Sequence, residues 1–543
     1  MSERTSLNAD ARFRRRAGHA LAWAGLAMGF ACAAVFGLRA GLGLEPAPQV
    51  RAVAQPMTPQ RLPDSRAKTK GKIRPTWKMD SFDPLDGRVN LGGPAGPGEE
   101  IEFSPLRDWA VENAVALAPV WAAAKVSRID VVGIGDSNQL FDGTGWDSGW
   151  TVALAERFGI YASGLISAGE NFGMGAGTGH DVGGISFASG PGTQMSWAGP
   201  PAPLNAVLGS TGLLGPQFSA YLEAGKVEPG TGRLGLVMAP GSVVGESSNL
   251  RVHFAYGFFG PVEGLTAEAG RFTPQARIAG ASFPELARGA SVESVGAGPA
   301  GLRWGTIDVP AAPRVVTGWG NLGVEFRWNA WESPLQGPFV AYWSRFENRD
   351  RARGASMHTL YGVGGHSARR MALALQQIPD ATLSAYFAHI RSLQGPTKRV
   401  LVRICSGLND RSDWNPSVGP ARVQFSWRAA GFADNLLAMR QRLEQIWTLN
   451  GWDLSELYFL LTVSHPPYQI DDSKLAEYRL VTRQLAQLWP RTAAFNFLGV
   501  TTANELYAQC WFAYCGDKFH LSPAGFVGTS RLELEQLVNQ SGQ

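Results

Sequence analysis

Four short motifs follow one another along this 543-residue chain: Gly135-Asp136-Ser137-Asn138, Gly362-Val363-Gly364-Gly365, Gly407-Leu408-Asn409-Asp410 and Asp517-Lys518-Phe519-His520. Their residue types make a full set for acyl transfer from an ester: a hydroxyl nucleophile, donors for the oxygen that becomes negative, and an acid-oriented base. A serine hydroxyl attacks poorly at neutral pH unless a base takes its proton, and His520 can be that base. Asp517, three residues earlier, is near enough on a loop or single turn to hold one ring nitrogen and leave the other for Ser137. Glycines at 364 and 365 permit close backbone approach to a substrate, and the side-chain amide of Asn409 adds a second kind of donor. One such tetrapeptide would be weak evidence, since Gly, Ser, Asn and Asp are ordinary turn residues. Four in this order, three of them preceded by strand-like runs, are strong evidence.

The runs that lead into the motifs say what must hold them. Ser127 to Ile134 is β-rich and ends in Gly-Asp-Ser, which puts Ser137 just beyond the carboxyl end of a buried strand. Open α/β sheets place their ligands there. Leu360 to Val363 reads as a strand entering the second motif, and Lys398 to Ile404 as a buried strand leading to Asn409. Helical patterns cover residues 105–123, Trp150 to Phe158, Ala368 to Gln377, residues 421–449, Lys474 to Leu488 and about Ala524 to Val538. Further strands are expected at Leu457 to Val463 and Ala493 to Leu498. Strands alternating with helices predict a parallel sheet with helices on both faces, a three-layer α/β/α sandwich.

With these residues in place, the chain resembles the SGNH (GDSL-type) hydrolases, a family named for its Ser, Gly, Asn and His positions. The resemblance implies that Ser137 is the nucleophile and that its backbone N–H serves the oxyanion hole together with Gly365 and Asn409. It assigns Asp517 and His520 to the paired acid and base, and it requires no metal or organic cofactor. Asn138 follows the serine where leucine is commoner, and Leu521-Ser522 come between His520 and Pro523, where proline usually follows directly. Neither change removes a catalytic group. The main departure is spacing, because more than two hundred residues separate Ser137 from Gly365, where the family usually has one helix and one strand.

Residues 176–349 fill that gap with short alternating runs, such as Arg233 to Met238, Leu250 to Tyr256 and Leu322 to Trp328, separated by Gly and Pro turns. This is the pattern of an inserted all-β sandwich or jelly roll. Its entry, from Gly164 to Gly192, is glycine-dense but lacks the flanking strand, helix and Lys-Ser/Thr of a phosphate loop. Its aromatics include Trp197, Tyr256, Phe258, Phe259, Trp304, Trp319, Trp328, Trp331 and Trp343. Exposed aromatics of this kind could stack on sugars, although aromatics dominate sandwich cores and most of these are expected inside.

The chain is 45% hydrophobic and 17% charged, enough to bury more than one core. Much of the basic excess behind its net charge of +4 sits near the N-terminus, which gives no support to a nucleic-acid surface on the folded part. Arg12, Arg14, Arg15 and Arg16 precede an apolar run from Ala20 to Leu38. That order reads as an uncleaved membrane anchor in preference to a cleaved signal, with the rest of the chain outside the cytoplasm. The expected organisation is cytoplasmic tip and anchor at 1–44, Pro/Gly-rich linker at 45–104, hydrolase domain at 105–175 and 350–543, and β-rich insertion at 176–349. Cys510 and Cys515 either pair as a disulfide beside Asp517 or stay as buried thiols, whereas Cys405 reads as a small core residue. No spacing resembles a zinc site.

Several neighbours invite a role. Asp136 reads as a brace for the nucleophile turn. Asp410 and Asp413 read as caps or solvated loop residues. His366, beside Gly365, and His465, just past a strand, are candidate substrate contacts. Three readings stay open on these residues: an exported esterase acting on acyl, foremost O-acetyl, groups of a polysaccharide; an O-acetyltransferase with the same triad; and a non-catalytic glycan-binding scaffold. The sequence leaves the oligomeric state undetermined.

Overall fold

The computed structural model describes residues 78–82, 89–92, 109–136, 146–167, 180–182, 185–189, 220–222, 234–238, 249–264, 266–278, 285–310, 315–317, 320–322, 324–327, 339–362, 365–413, 426–467, 473–501, 506, 520–521 and 523–543. Ser137, Gly364, Asp517, Cys510, Cys515, the apolar run Ala20 to Leu38 and Trp197, Trp319, Trp328 and Trp331 lie outside the described residues. Among the described residues no helix is long and apolar enough to cross a membrane.

A six-stranded sheet carries the motifs. In chain order its strands are β1 (Val111–Glu112), β2 (Arg128–Gly135), β3 (Gly354–Gly362), β4 (Val400–Ser406), β5 (Leu457–Val463) and β6 (Thr492–Asn496), and they lie side by side as β3-β2-β4-β5-β6-β1. Every pairing from β3 to β6 is parallel, and only β1 runs antiparallel, against β6. Among the described residues the helices are α1 (Ala118–Val126), α2 (Trp146–Phe158), α3 (Ala368–Gln377), α4 (Asp380–Leu393), α5 (Ala429–Leu449), α6 (Ser473–Leu488) and α7 (Pro523–Gln540).

The strands explain why both faces are covered. β4 and β5 are buried at every position, as parallel strands between two helical layers must be. Val132, Ile134, Val402, Ile404, Phe459 and Leu461 face one core with α3, α4, α5 and α6. Their neighbours Ile129, Val131, Leu401 and Leu460 face the other with α1, α2 and α7. Each such side chain contributes about 1.5–3 kcal/mol by burial. The sandwich expected from the sequence is therefore present in these residues.

The helix expected over 105–123 is corrected. Val111–Glu112 forms β1, Asn113 turns with a left-handed backbone, and a 3-10 turn at Ala114–Leu117 leads into α1, which runs on to Val126. Pro119 explains the late start, since its missing N–H is harmless only in a helix's first turn. The structure also has α4, a helix the periodicity did not single out, beginning right after Pro379.

Among the described residues between β2 and β3, beside two short two-stranded pairs, Arg271–Phe272 with Val292–Glu293 and Val315–Thr317 with Gly320–Leu322, there are two larger antiparallel sheets. One joins strands Asn249–Phe258, Gly301–Pro310 and Phe339–Asn348 with short pieces at Ile166–Ser167 and Ala220–Leu222. The other joins six strands, among them Leu234–Met238, Gln275–Ile278 and Val324–Arg327. Phe254 of the first stacks on Phe326 of the second at 5.3 Å between ring centroids. Tyr256, Phe258, Phe259 and Trp343 are buried, in line with their reading as core. Trp343 meets Tyr386 of α4 at 4.9 Å, and Trp304 stacks on His389 of the same helix at 3.7 Å. The first antiparallel sheet is thus fixed to α4 by aromatic contact.

A buried charge lies where this sheet meets β2. Glu347 accepts from Arg128 at 2.7 Å, and its other oxygen lies 2.7 Å from His253 Nε2. Despite burial, the His253 and Arg128 contacts hold the Glu347 carboxyl down at about 2, and burial, with Arg345 nearby, lowers His253 to about 4. Both shifts are depressions, so both stabilise the fold at neutral pH and lose that contribution in acid: His253 as pH falls from 6.5 toward 4, Glu347 from 4.5 toward 2. The His253 shift corresponds to about 3 kcal/mol. Lowering the pH from 7 to 4 is expected to lower the melting temperature, and His253→Gln to flatten that fall. A melting temperature equal at pH 7 and pH 4 would contradict the assignment.

Candidate active site

The sheet brings three motif segments to one edge. β2 ends with Gly135 level with Gly362 of β3 on one side and Cys405 of β4 on the other. Ser406 of β4 is level with Val463 of β5. Asp136, the Gly365 loop, the Gly407 to Asn409 turn and Ser464-His465 therefore all leave the same carboxyl edge. The chain passes from β2 outward to β3 and then back across to β4, which makes the carboxyl end of β2 the switch point at which open α/β sheets place their ligands.

Gly365 occupies a left-handed backbone conformation with φ of 74°, which only glycine adopts freely, and among the described residues no atom lies within 4 Å of where a Cβ would stand. Gly365 is exposed. Asn409 lies across from it and donates through Nδ2 to the His366 carbonyl at 3.3 Å. Two of the expected oxyanion donors are thus on adjacent segments.

His520 reaches the same edge by way of α7. Early in α2, Gly149 lies so close to α7 that a Cβ there would collide with the Phe526 carbonyl oxygen. At the far end, Lys125 Nζ donates to the Gln543 carbonyl at 3.4 Å, beside the start of β2. The helix therefore runs antiparallel to the strands, with its first turn at their carboxyl edge. Leu521, next to His520, is buried in the core shared with Ile129 and Val131. Farther along, Glu533 forms a fully buried ion pair with Arg403 of β4 at 2.8 Å and accepts from Thr462 Oγ1 at 2.6 Å and from Trp150 Nε1 at 3.0 Å. One carboxylate so ties α7 to α2, β4 and β5.

His366 is half-buried, with its Nδ1 hydrogen-bonded to the Tyr361 hydroxyl. Burial, assisted by Arg370, lowers it to about 4, so the ring is neutral at pH 7. His465 is fully buried directly past β5. Asp136 is buried where β2 ends. Cys405 is buried and its thiol is pushed up to about 12 by burial, which makes it inert. Among the described residues no group of His, Cys, Asp or Glu is arranged to hold a metal ion.

Sequence reasoning missed two features here. Asp410 does cap, accepting the first N–H of α3, but it is fully buried and not solvated, and Tyr361 is the partner of His366. Only the place of Asp410 next to Asn409 could have hinted at the first.

No protein-family profile matches the chain, and no curated protein matches it. Solved structures show distant likeness. A peptidoglycan O-acetylesterase is 14% identical, with 79% of this chain and 97% of that one covered at a TM-score of 0.43. A salicylyl acyltransferase from a tetracycline biosynthetic pathway is 15% identical over 65% and 93%, at 0.24. An acetyl xylan esterase from the rumen bacterium Butyrivibrio proteoclasticus is 8% identical over 60% and 96%, at 0.23. The described residues form a mixed α/β fold around a mostly parallel sheet.

Proposed function

We propose that this chain is an SGNH-type serine esterase that removes acyl groups, O-acetyl foremost, from a polysaccharide outside the cytoplasm. Ser137 Oγ attacks the ester carbonyl while His520 takes its proton, and Asp517 orients His520 and stabilises its charge. The Ser137 and Gly365 N–H groups and the Asn409 amide receive the negative oxygen. Collapse breaks the bond to the sugar oxygen, which leaves with the proton from His520. Water, deprotonated by His520, then releases the acid and restores Ser137.

The observation that carries the reading is the shared carboxyl edge of β2, β3 and β4, with Gly365 and Asn409 on neighbouring segments and α7 starting there just after His520. The motif order supports it independently. The catalytic domain is proposed to comprise 105–175 and 350–543, interrupted by a β-rich insertion at 176–349. The glycan substrate rests on the aromatic-rich insertion, the proposed anchor at Ala20 to Leu38 and the family resemblance. His366 is a proposed substrate contact, whereas His465, read as a second one from sequence, is fully buried and presents no surface to a substrate.

The test is acetate release from a panel of O-acetylated polysaccharides by the full chain and by Ser137→Ala. Release by the wild type and none by the variant is expected. Acetyl groups appearing on an added glycan, with no free acetate, would replace hydrolysis by transfer. Glycan binding with neither reaction would leave a scaffold.

A further inference from the structure

We propose that Asp410 is a positioning residue that sets the spacing between Gly365 and Asn409, an inference that rests on the esterase reading of those two donors. One carboxylate oxygen accepts the N–H of Ala368 at 2.8 Å, at the start of α3 and three residues past Gly365. The other accepts the N–H of Gly407 at 2.8 Å, two residues before Asn409. The side chain is fully buried. A single planar group therefore spans the two segments that carry the donors.

Other bonds run beside this one. Asn409 donates to the His366 carbonyl at 3.3 Å. Arg369 pairs with Asp413 at 3.0 Å, and Ser426 Oγ accepts the Arg369 N–H at 2.8 Å while its own N–H donates to Asp413 at 3.1 Å. Ser426 also helps hold the Asp410 carboxyl down, against its burial. The second and third motifs are laced together over a short stretch, with Asp410 at the centre.

Starting α3 does not by itself call for this carboxylate. Ser367 already caps the helix, its side chain accepting from the Arg370 N–H. Burial also opposes a charge here and pushes Asp410 up to about 7, against the pull of its two N–H partners. What the carboxylate does that Ser367 cannot is hold two loops from different strands at one separation. An oxyanion site depends on donors fixed before the charge develops, and small displacements there are felt mainly in turnover.

The test compares the full-length wild type with Asp410→Asn, and with Ser426→Ala as a milder variant. Asparagine keeps one acceptor and turns an amino group toward the other N–H at nearly constant volume. Kinetics on p-nitrophenyl acetate are measured alongside amide hydrogen exchange in peptides covering 365–370 and 407–410. The expected result for Asp410→Asn is a kcat lower by about 10–100-fold, KM within about threefold of wild type, and faster exchange in both segments but not in β5. Ser426→Ala should move both readouts the same way by less, and it alone decides the matter if Asp410→Asn does not fold. Unchanged kcat with a lowered melting temperature would make Asp410 a purely structural brace and overturn the proposal. Reduced kcat with unchanged exchange would overturn it in favour of direct participation. A wild type without esterase activity, whose two segments still loosen together in Asp410→Asn, would retain the brace and sink the esterase reading instead.

Discussion

Replacing His520 by alanine is expected to lower kcat for ester cleavage by roughly four to six orders of magnitude, with little change in KM. His520 is the one base the motifs provide, and without it the Ser137 hydroxyl must lose its proton to water. The oxyanion donors would still act, which leaves a residual rate of about 10³–10⁴ over the uncatalysed reaction. Because nucleophile and base work as a unit, Ser137→Ala combined with His520→Ala should be scarcely slower than either alone. The substitution lies ahead of α7 and away from Glu533, so the melting temperature should hold within a few degrees. The informative failure is a loss under tenfold. It would point to His366, which is neutral at pH 7 and bonded to Tyr361, as the base instead.

The second large effect concerns stability. Glu533→Gln is expected to destabilise the full chain by about 3–5 kcal/mol, because it leaves the Arg403 guanidinium charged, buried and without its counter-charge. Thr462 and Trp150 also lose part of their acceptor. Since α7 follows His520 directly, loosening this anchor should also lower the active fraction. The diagnostic comparison is Arg403→Met with Glu533→Leu. Each alone removes one charge and strands the other, whereas together they remove both, so the double variant should recover much of the loss. Chemical denaturation measures all three. Additive losses would show that the two side chains do not depend on each other.

Much of the α/β sandwich was legible because its signals are local and strong. The strand Leu457–Val463 and the helix Ala368–Gln377 match the sequence-based bounds to the residue. The start of the domain was not, since Trp109 to Leu117 carries apolar spacing that suits a helix, while pairing with β6 draws Val111–Glu112 into the sheet. Such pairing across hundreds of residues leaves no local mark. The same holds for the site. Gly365, Asn409 and His520 announce themselves by motif, and Asp410 lies in a motif whose spacing does not reveal its burial, but the buried carboxylate Glu533 looks in sequence like any surface acid. The two partners of Glu347, Arg128 and His253, are likewise far apart in the chain and close only in the fold.

The most direct measurement is the rate of p-nitrophenyl acetate hydrolysis by the full chain beside Ser137→Ala, with both shown to be folded. Steady turnover by the wild type that disappears in the variant is the expected result and establishes Ser137 as the nucleophile. Equal rates in the two proteins, or no turnover by folded wild type on this ester and on acetylated polysaccharides alike, would contradict the serine esterase.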